Sequence, residues 1–472
     1  MTPTPAAAPP PGRPAPRARA AAPRPAVPGT GVPGHGLPAV TTAGGVLVAP
    51  AAGSSVLAPT GTVGAPVTVV RGRFSRTPAR MRLAATVGVL ASLLVALVGL
   101  ATGLAQSHAL SAAADDTAQQ VRTLEVRNDL VAADATATNA FLVGGREPVE
   151  QRVRYDTSIA DATAGLVAVA GASASDAAGL GPVSTGVATY SGLVEQARAN
   201  NRQGFPVGAA YLETASQELR TSALPGLDEV VRMNDERASD AFAVAQRAMF
   251  VVLVLVVALV ALVAVQVWLA RRTHRRLNGG LVLATGVLLA GGVLLGGSLN
   301  SGAATVDDVQ AGSYTRTMAV ARAYSLANDA KAMESFTLIK RGSGQAYEES
   351  YAAAVDEARR LLADGGVDAQ VVATFEDWAA THTEIRTLDD GGDWDGAVAL
   401  ATSNEPGSPN ATFDVFSDTA QAAVATDGQQ ADDALHDAAR ASSRVAWVAL
   451  VAGLVAAVCV AMGFSARLKE YR

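Results

Sequence analysis

Long apolar runs alternate with polar stretches of helical periodicity along the chain. Leu83 to Ala105, Ala248 to Ala270, Gly279 to Leu299 and Val445 to Phe464 contain no charged residue, and each is long enough to cross a bilayer as a helix of ~20 residues. Two polar segments, 106–247 and 300–443, separate them, with a link of only eight residues at 271–278. In these segments apolar residues recur three and four apart and Ala, Leu, Glu, Gln and Arg dominate, which predicts amphipathic helices. Val131, Ala135, Thr138 and Phe141, like Leu326, Ala330, Met333 and Phe336, advance by four and three residues. That spacing turns one face toward a bundle core. Breaks at 144–148, 171–174 and 200–206 divide the first polar segment into four helices, an up-down arrangement that short turns permit.

The second polar segment echoes the first. At an offset of 195, Arg127, Ala132, Asp134, Ala135, Ala137 and Phe141 match Arg322, Ala327, Asp329, Ala330, Ala332 and Phe336. At an offset of 193, Ala238, Asp240, Ala241, Ala245, Arg247 and Ala248 match Ala431, Asp433, Ala434, Ala438, Arg440 and Ala441. The fold expected is therefore an all-α integral membrane protein: four transmembrane helices and two duplicated extracellular antiparallel helical bundles. The partition reads 1–82 tail, 83–105 first span, 106–247 first bundle, 248–270 second span, 271–278 link, 279–299 third span, 300–443 second bundle, 444–464 fourth span and 465–472 tail.

Charge orients this plan. Arg71, Arg73, Arg76, Arg80 and Arg82 precede the first span, Arg271, Arg272, Arg275 and Arg276 fill the link, and Arg467, Lys469 and Arg472 follow the fourth span. Short basic loops stay on the cytoplasmic side, so both termini are expected inside and both bundles outside. Arg80, Arg82, Arg271, Arg272, Arg275 and Arg276 are expected to meet anionic lipid headgroups. The external segments are acidic, with 11 Lys and Arg against 18 Asp and Glu in the first and 9 against 24 in the second. The first apolar run begins at residue 83 and is long enough to span, so it reads as an uncleaved anchor rather than a signal peptide.

Residues 1–80 hold 16 of the 22 prolines and no acidic residue, a composition that cannot bury a core and predicts a disordered tail, either a polyproline ligand or a spacer. The single cysteine, Cys459, lies in the fourth span, which excludes an intrachain disulfide framework.

No catalytic constellation is present. His35, His108, His274, His382 and His436 are scattered with no second ligand at metal spacing. Phosphate-binding and kinase signatures are absent. The chain is expected to be no enzyme, to carry no cofactor and to bind no nucleic acid. The run Asp389-Asp390-Gly391-Gly392-Asp393-Trp394-Asp395-Gly396 comes nearest to a calcium loop, but Gly391 and Thr402 stand where two ligands are required. It reads as a long acidic loop within 388–411. Asp389, Asp390, Asp393, Asp395 and the interface-prone Trp394 make it the candidate contact for an external partner. Arg127 and Arg322 could clamp a ligand carboxylate or pair with Asp134 and Asp329 or a neighbouring helix. The apolar runs lack Asp, Glu, Lys, Arg and His, which argues against a pump or coupled transporter. Small residues four apart, Gly99 with Gly103, Gly286 with Ala290 and Gly292 with Gly296, allow close helix approach.

Helical ectodomains continuous with spans resemble the four-helix sensor modules of chemotaxis receptors, although only Ser465 to Arg472 follow the fourth span. The four spans, two ectodomains and tiny basic link, with Gly204-Phe205-Pro206-Val207-Gly208-Ala209-Ala210-Tyr211-Leu212-Glu213-Thr214-Ala215-Ser216 and Ala223-Leu224-Pro225, resemble the GlnX-type membrane proteins of actinobacteria over residues 83–472. That resemblance implies a bacterial cell-membrane protein relaying amino-acid status from an external lipid-anchored solute-binding protein to a soluble cytoplasmic Ser/Thr kinase. A non-switching scaffold and a direct small-molecule sensor are the alternatives.

Overall fold

Helix-favouring composition, with no proline past the first turn of the two longest elements, produces very long helices. The computed structural model describes residues 77–144, 147–204, 206–247, 251–273 and 278–469; the proline-rich tail lies almost wholly outside them. Helix α1 (Thr77–Val143) has 67 residues, about 100 Å at 1.5 Å per residue. It starts before residue 83, so Arg80 and Arg82 lie on its first turns. Helices α2 (Val149–Ala172), α3 (Ala174–Arg202) and α4 (Val207–Glu218) follow, and a π-helical turn (Leu219–Ala223) joins α4 to α5 (Leu224–Arg247). Then come α6 (Val251–Thr273), α7 (Gly279–Ala311), α8 (Ser313–Ile339), α9 (Gln345–Asp364), α10 (Ala369–Asp390), α11 (Trp394–Ala401) and α12 (Pro409–Lys469). All regular structure among the described residues is helical.

Local chemistry sets several boundaries. Ser173 caps α3 by accepting from the Asp176 amide, and Asp368 caps α10 through the Gln370 amide, each satisfying an otherwise orphaned donor. Gly312 separates α7 from α8, and a Cβ there would lie 2.7 Å from the Asp308 carbonyl oxygen. The expected long loop at 388–411 is instead interrupted by α11. Asp393 starts that helix by accepting from the Gly396 amide at 2.9 Å.

Three described helices are long and apolar enough to cross a membrane, within Ala79–Val143, Gly279–Ile339 and Pro409–Ala466. Their apolar ends pack with α6 around Met81, Leu262, Leu269, Leu281, Leu288, Val460 and Phe464. Small residues close the α1–α12 contact: a Cβ on Gly103 would lie 2.6 Å from that of Ala446, and one on Gly453 2.5 Å from that of Ala96. The close-packing expectation thus applies to Gly99 and Gly103, whereas nothing lies within 4 Å of an added Cβ at Gly286 or Gly296.

Above this bundle Gln106, 1% exposed, ties four helices together. Its amide donates to the Leu299 carbonyl at 2.9 Å and the Ala245 carbonyl at 3.3 Å, and its oxygen accepts from Ser442 at 3.1 Å. An alanine-rich neck follows, formed by α1, α5, α7 and α12 around Leu110, Ala113, Ala238, Phe242, Val306, Ala431 and Leu435.

Beyond the neck, α1–α5 make a first lobe and α8–α12 a second. The sequence pattern leads one to expect two bundles; the two segments share one core that runs from Leu130 and Tyr190 to Phe375, Trp378 and Phe416. Helices α1 and α8, which carry the residues related by the 195-residue offset, face each other across it.

Candidate functional site

The centre of the shared core is polar. Asp134 on α1 and Asp329 on α8, residues related by the 195-residue offset, both reach one cation, Arg220 on the π-helical turn. The Arg220 guanidinium donates to Asp134 Oδ2 at 2.8 Å and to Asp329 Oδ1 at 3.0 Å. Asp134 is fully buried, and its Oδ2 also accepts from the Ser216 hydroxyl at 2.5 Å. Its Oδ1 and the hydroxyl of buried Tyr190 have no hydrogen-bond partner among the described residues.

Electrostatics follow from this enclosure. Burial opposes the charge of Arg220, yet the two carboxylates hold its pKa above the ordinary value. Burial raises the Asp329 carboxyl, with Arg220 and Arg127 pulling the other way and Asp134 adding to the rise. Burial, followed by the Asp134 charge, pushes the Tyr190 phenol well above its usual value. One guanidinium between two carboxylates from different lobes is therefore a lock: Arg220 and Asp329 are partly exposed, but the lobes moving apart would strand the fully buried Asp134 in a medium that solvates it poorly. Its π-helical setting is a local distortion of the kind found at functional sites.

Arg127 and Arg322 do not form a clamp. Arg127 pairs with Asp228 on α5 at 3.0 Å and also donates to Ser325, while Arg322 is exposed. Pairing within the helix to Asp134 and Asp329 does not occur, because Arg220 takes both. Sequence reading missed Arg220; the signal was an arginine four residues beyond Ser216 and eight beyond Leu212, on the stripe that α4 buries.

A second buried polar group was also missed. His382 on α10 donates from both ring nitrogens, Nδ1 lying 2.7 Å from Glu334 on α8 and Nε2 2.9 Å from Glu348 on α9. Its ring stacks on Tyr351 at 3.6 Å. Burial works against its charge, but the bonds to both carboxylates raise its pKa to about 9. Neither this group nor any other set of three or more His, Cys, Asp or Glu side chains among the described residues is arranged to hold a metal ion.

The candidate partner loop connects to this group. Glu348 lies 3.6 Å from Arg386, which holds Asp389 at 2.7 Å and Asp390 at 2.5 Å. Asp393 is the cap of α11, and Asp395 is exposed in its first turn. Trp394 is half-buried; its indole N–H donates to the Leu338 carbonyl at 2.9 Å and Arg341 sits over its ring at 3.6 Å. Of the basic residues at the opposite end, Arg80, Arg82 and Arg271 are exposed. The Arg272 side chain and all of Arg275 and Arg276 lie outside the described residues.

Residues 109–243 match the sequence family described as an actinobacterial sensor domain. The match covers the first lobe and its half of the neck, and fits a sensing or signalling protein. No curated protein and no solved structure matches the chain.

Proposed function

We propose that the protein is a four-span transmembrane relay in which an external event displaces helices and changes the cytoplasmic face. In this reading α6 is the second span, both termini are inside, and the two lobes are duplicated ectodomains. An external solute-binding protein is the source of the signal and a cytoplasmic Ser/Thr kinase its receiver. The observation that carries the proposal is the continuity of α1 and α12, of 67 and 61 residues, from the shared core through the neck into the apolar bundle. A rigid helix moves as a unit, so a shift at the Asp134–Arg220–Asp329 lock reaches the far end without a separate transmitter. Small residues in the neck and bundle suit sliding, since they present low ridges to one another. The sensor-family match supports the sensing half of the reading.

The test is a cross-link. A Cβ on Gly99 would lie 3.1 Å from that of Ala449, so that a separation of the two helices by a few tenths of an ångström reaches the ~3.5–4.5 Å of a disulfide. Gly99→Cys with Ala449→Cys in a Cys459→Ala background, oxidised in membranes, should leave the protein inserted and abolish the dependence of kinase-substrate phosphorylation on external amino acids. Unchanged dependence would exclude movement of α1 against α12 as the transmitting step, whereas phosphorylation that ignores external amino acids even without the cross-link would favour the non-switching scaffold.

A further inference from the structure

The two lobes differ at the end farthest from the apolar bundle. In the second lobe Phe336 is 1% exposed and stacks on Tyr347, and Phe375, Trp378, Phe413 and Phe416 fill the interior with interlocking rings. The repeat-related Phe141 of the first lobe is only half-buried. It borders a cavity of about 400 Å³ between α1, α2, α3 and α4. That volume falls within the range of small-molecule sites, which combine an apolar body with a few convergent polar groups.

The lining has this composition. Ala140, Phe141, Val153, Val194 and Leu212 supply apolar surface, while Arg152, Arg198, Arg202 and one acid, Glu147, supply charged lining. Arg198 is held rigidly: it pairs with Glu147 and Glu195 at 2.8 Å each and lies 4.0 Å above the Tyr155 ring. Arg152 shares Glu195 at 3.0 Å and holds Asp156 at 3.0 Å. Arg202 lines the cavity, is exposed and has no ion-pair partner among the described residues. Guanidinium groups recognise carboxylates by paired, charge-assisted hydrogen bonds; the fixed geometry of Arg198 and Arg152 lowers the ordering cost of binding, and Arg202 supplies an uncommitted charge.

The cavity also connects to the lock. Phe141 lies two helical turns beyond Asp134 on α1, and Leu212 two turns before Arg220 on α4 and its π-helical continuation. A ligand that separates α1 from α4 at one level strains the ion pair at the next.

We infer that the first lobe binds a small amphipathic carboxylate, its apolar body against Phe141 and Leu212 and its carboxylate toward Arg152, Arg198 and Arg202. This deepens the sensor reading by giving the lobe its own ligand, and it rests on that reading for its consequence though not for binding.

Binding is measured calorimetrically on the full chain in lipid nanodiscs with phenylacetate, isocaproate and the neutral analogue phenylacetamide. Saturable binding of at least one acid is expected, with the amide at least about tenfold weaker and affinity falling as salt rises. Arg202→Gln should weaken the acid about tenfold. Ala140→Leu, which fills the cavity, should abolish binding, and Val153→Trp at the exposed rim provides a second block where the first variant fails to fold. No saturable binding by either acid, equal binding of the amide, or binding that survives both blocking variants overturns the inference. Binding that leaves the rate of Gly99→Cys/Ala449→Cys cross-linking unaltered overturns the relay reading and leaves the site standing.

Discussion

Replacing Arg220 by methionine keeps a long side chain on the stripe that α4 buries but removes the only cation shown bridging Asp134 and Asp329. Asp134, fully buried, would retain Ser216 as a donor, and Asp329 would retain the more distant field of Arg127. Removing one partner from a buried ion pair costs ~3–5 kcal/mol, because the remaining charge is stranded. Here the fully buried Asp134 is stranded beside a second, partly exposed carboxylate on Asp329, so the folded variant takes up a proton. Its carboxyl pKa then lies above the unfolded value of about 3.9. A group with a raised folded pKa contributes stability below its unfolded pKa and loses it as pH rises through the folded one. The deficit of Arg220→Met should therefore be largest at pH 8 and shrink toward pH 5. Guanidinium unfolding of the full chain in detergent micelles, followed by circular dichroism, measures both values. Adding Asp329→Asn should recover part of the loss, since it removes one of the two repelling charges. A deficit below about 1 kcal/mol at pH 8, or one independent of pH, would refute the lock.

Phe336→Ala, emptying a fully packed position, should cost ~3–5 kcal/mol, whereas Phe141→Ala at the edge of a cavity should cost roughly 1–3 kcal/mol by the same unfolding assay; equal losses would mean that the cavity is closed in solution. His382, with a folded pKa of about 9 against about 6.5 unfolded, contributes stability that is complete below pH 6.5 and lost toward pH 9. That amounts to ~3 kcal/mol, and His382→Gln should flatten the slope over this window. Cysteines placed at the exposed positions Gln203 and Ser343 should react with a membrane-impermeant thiol reagent in intact cells. One at exposed Arg271 should not, and the reverse pattern would invert the proposed topology.

The sequence by itself determined the helices and where they are apolar. Period-3.6 patterning, the lack of strand alternation and the turn signals near 144–148, 171–174 and 200–206 recur as the ends of α1, α2 and α3, because those signals act within a few residues. The apolar ends of α1, α7 and α12 were legible for the same reason: hydropathy is a local property. How the pieces meet depends on packing between residues far apart in the chain. The paired aspartates 134 and 329 were visible as a repeat, but Arg220 is 86 and 109 residues away from them, and no local pattern names a partner at that separation. The group of His382, Glu334 and Glu348 comes from three different helices, so it too escapes any spacing rule. Phe141 and Phe336 match at the 195-residue offset but occupy different environments in space, because burial depends on what the facing helices contribute. Tyr347, Trp378 and Phe413 crowd the second lobe, while alanine, valine and the ordered arginines leave room in the first.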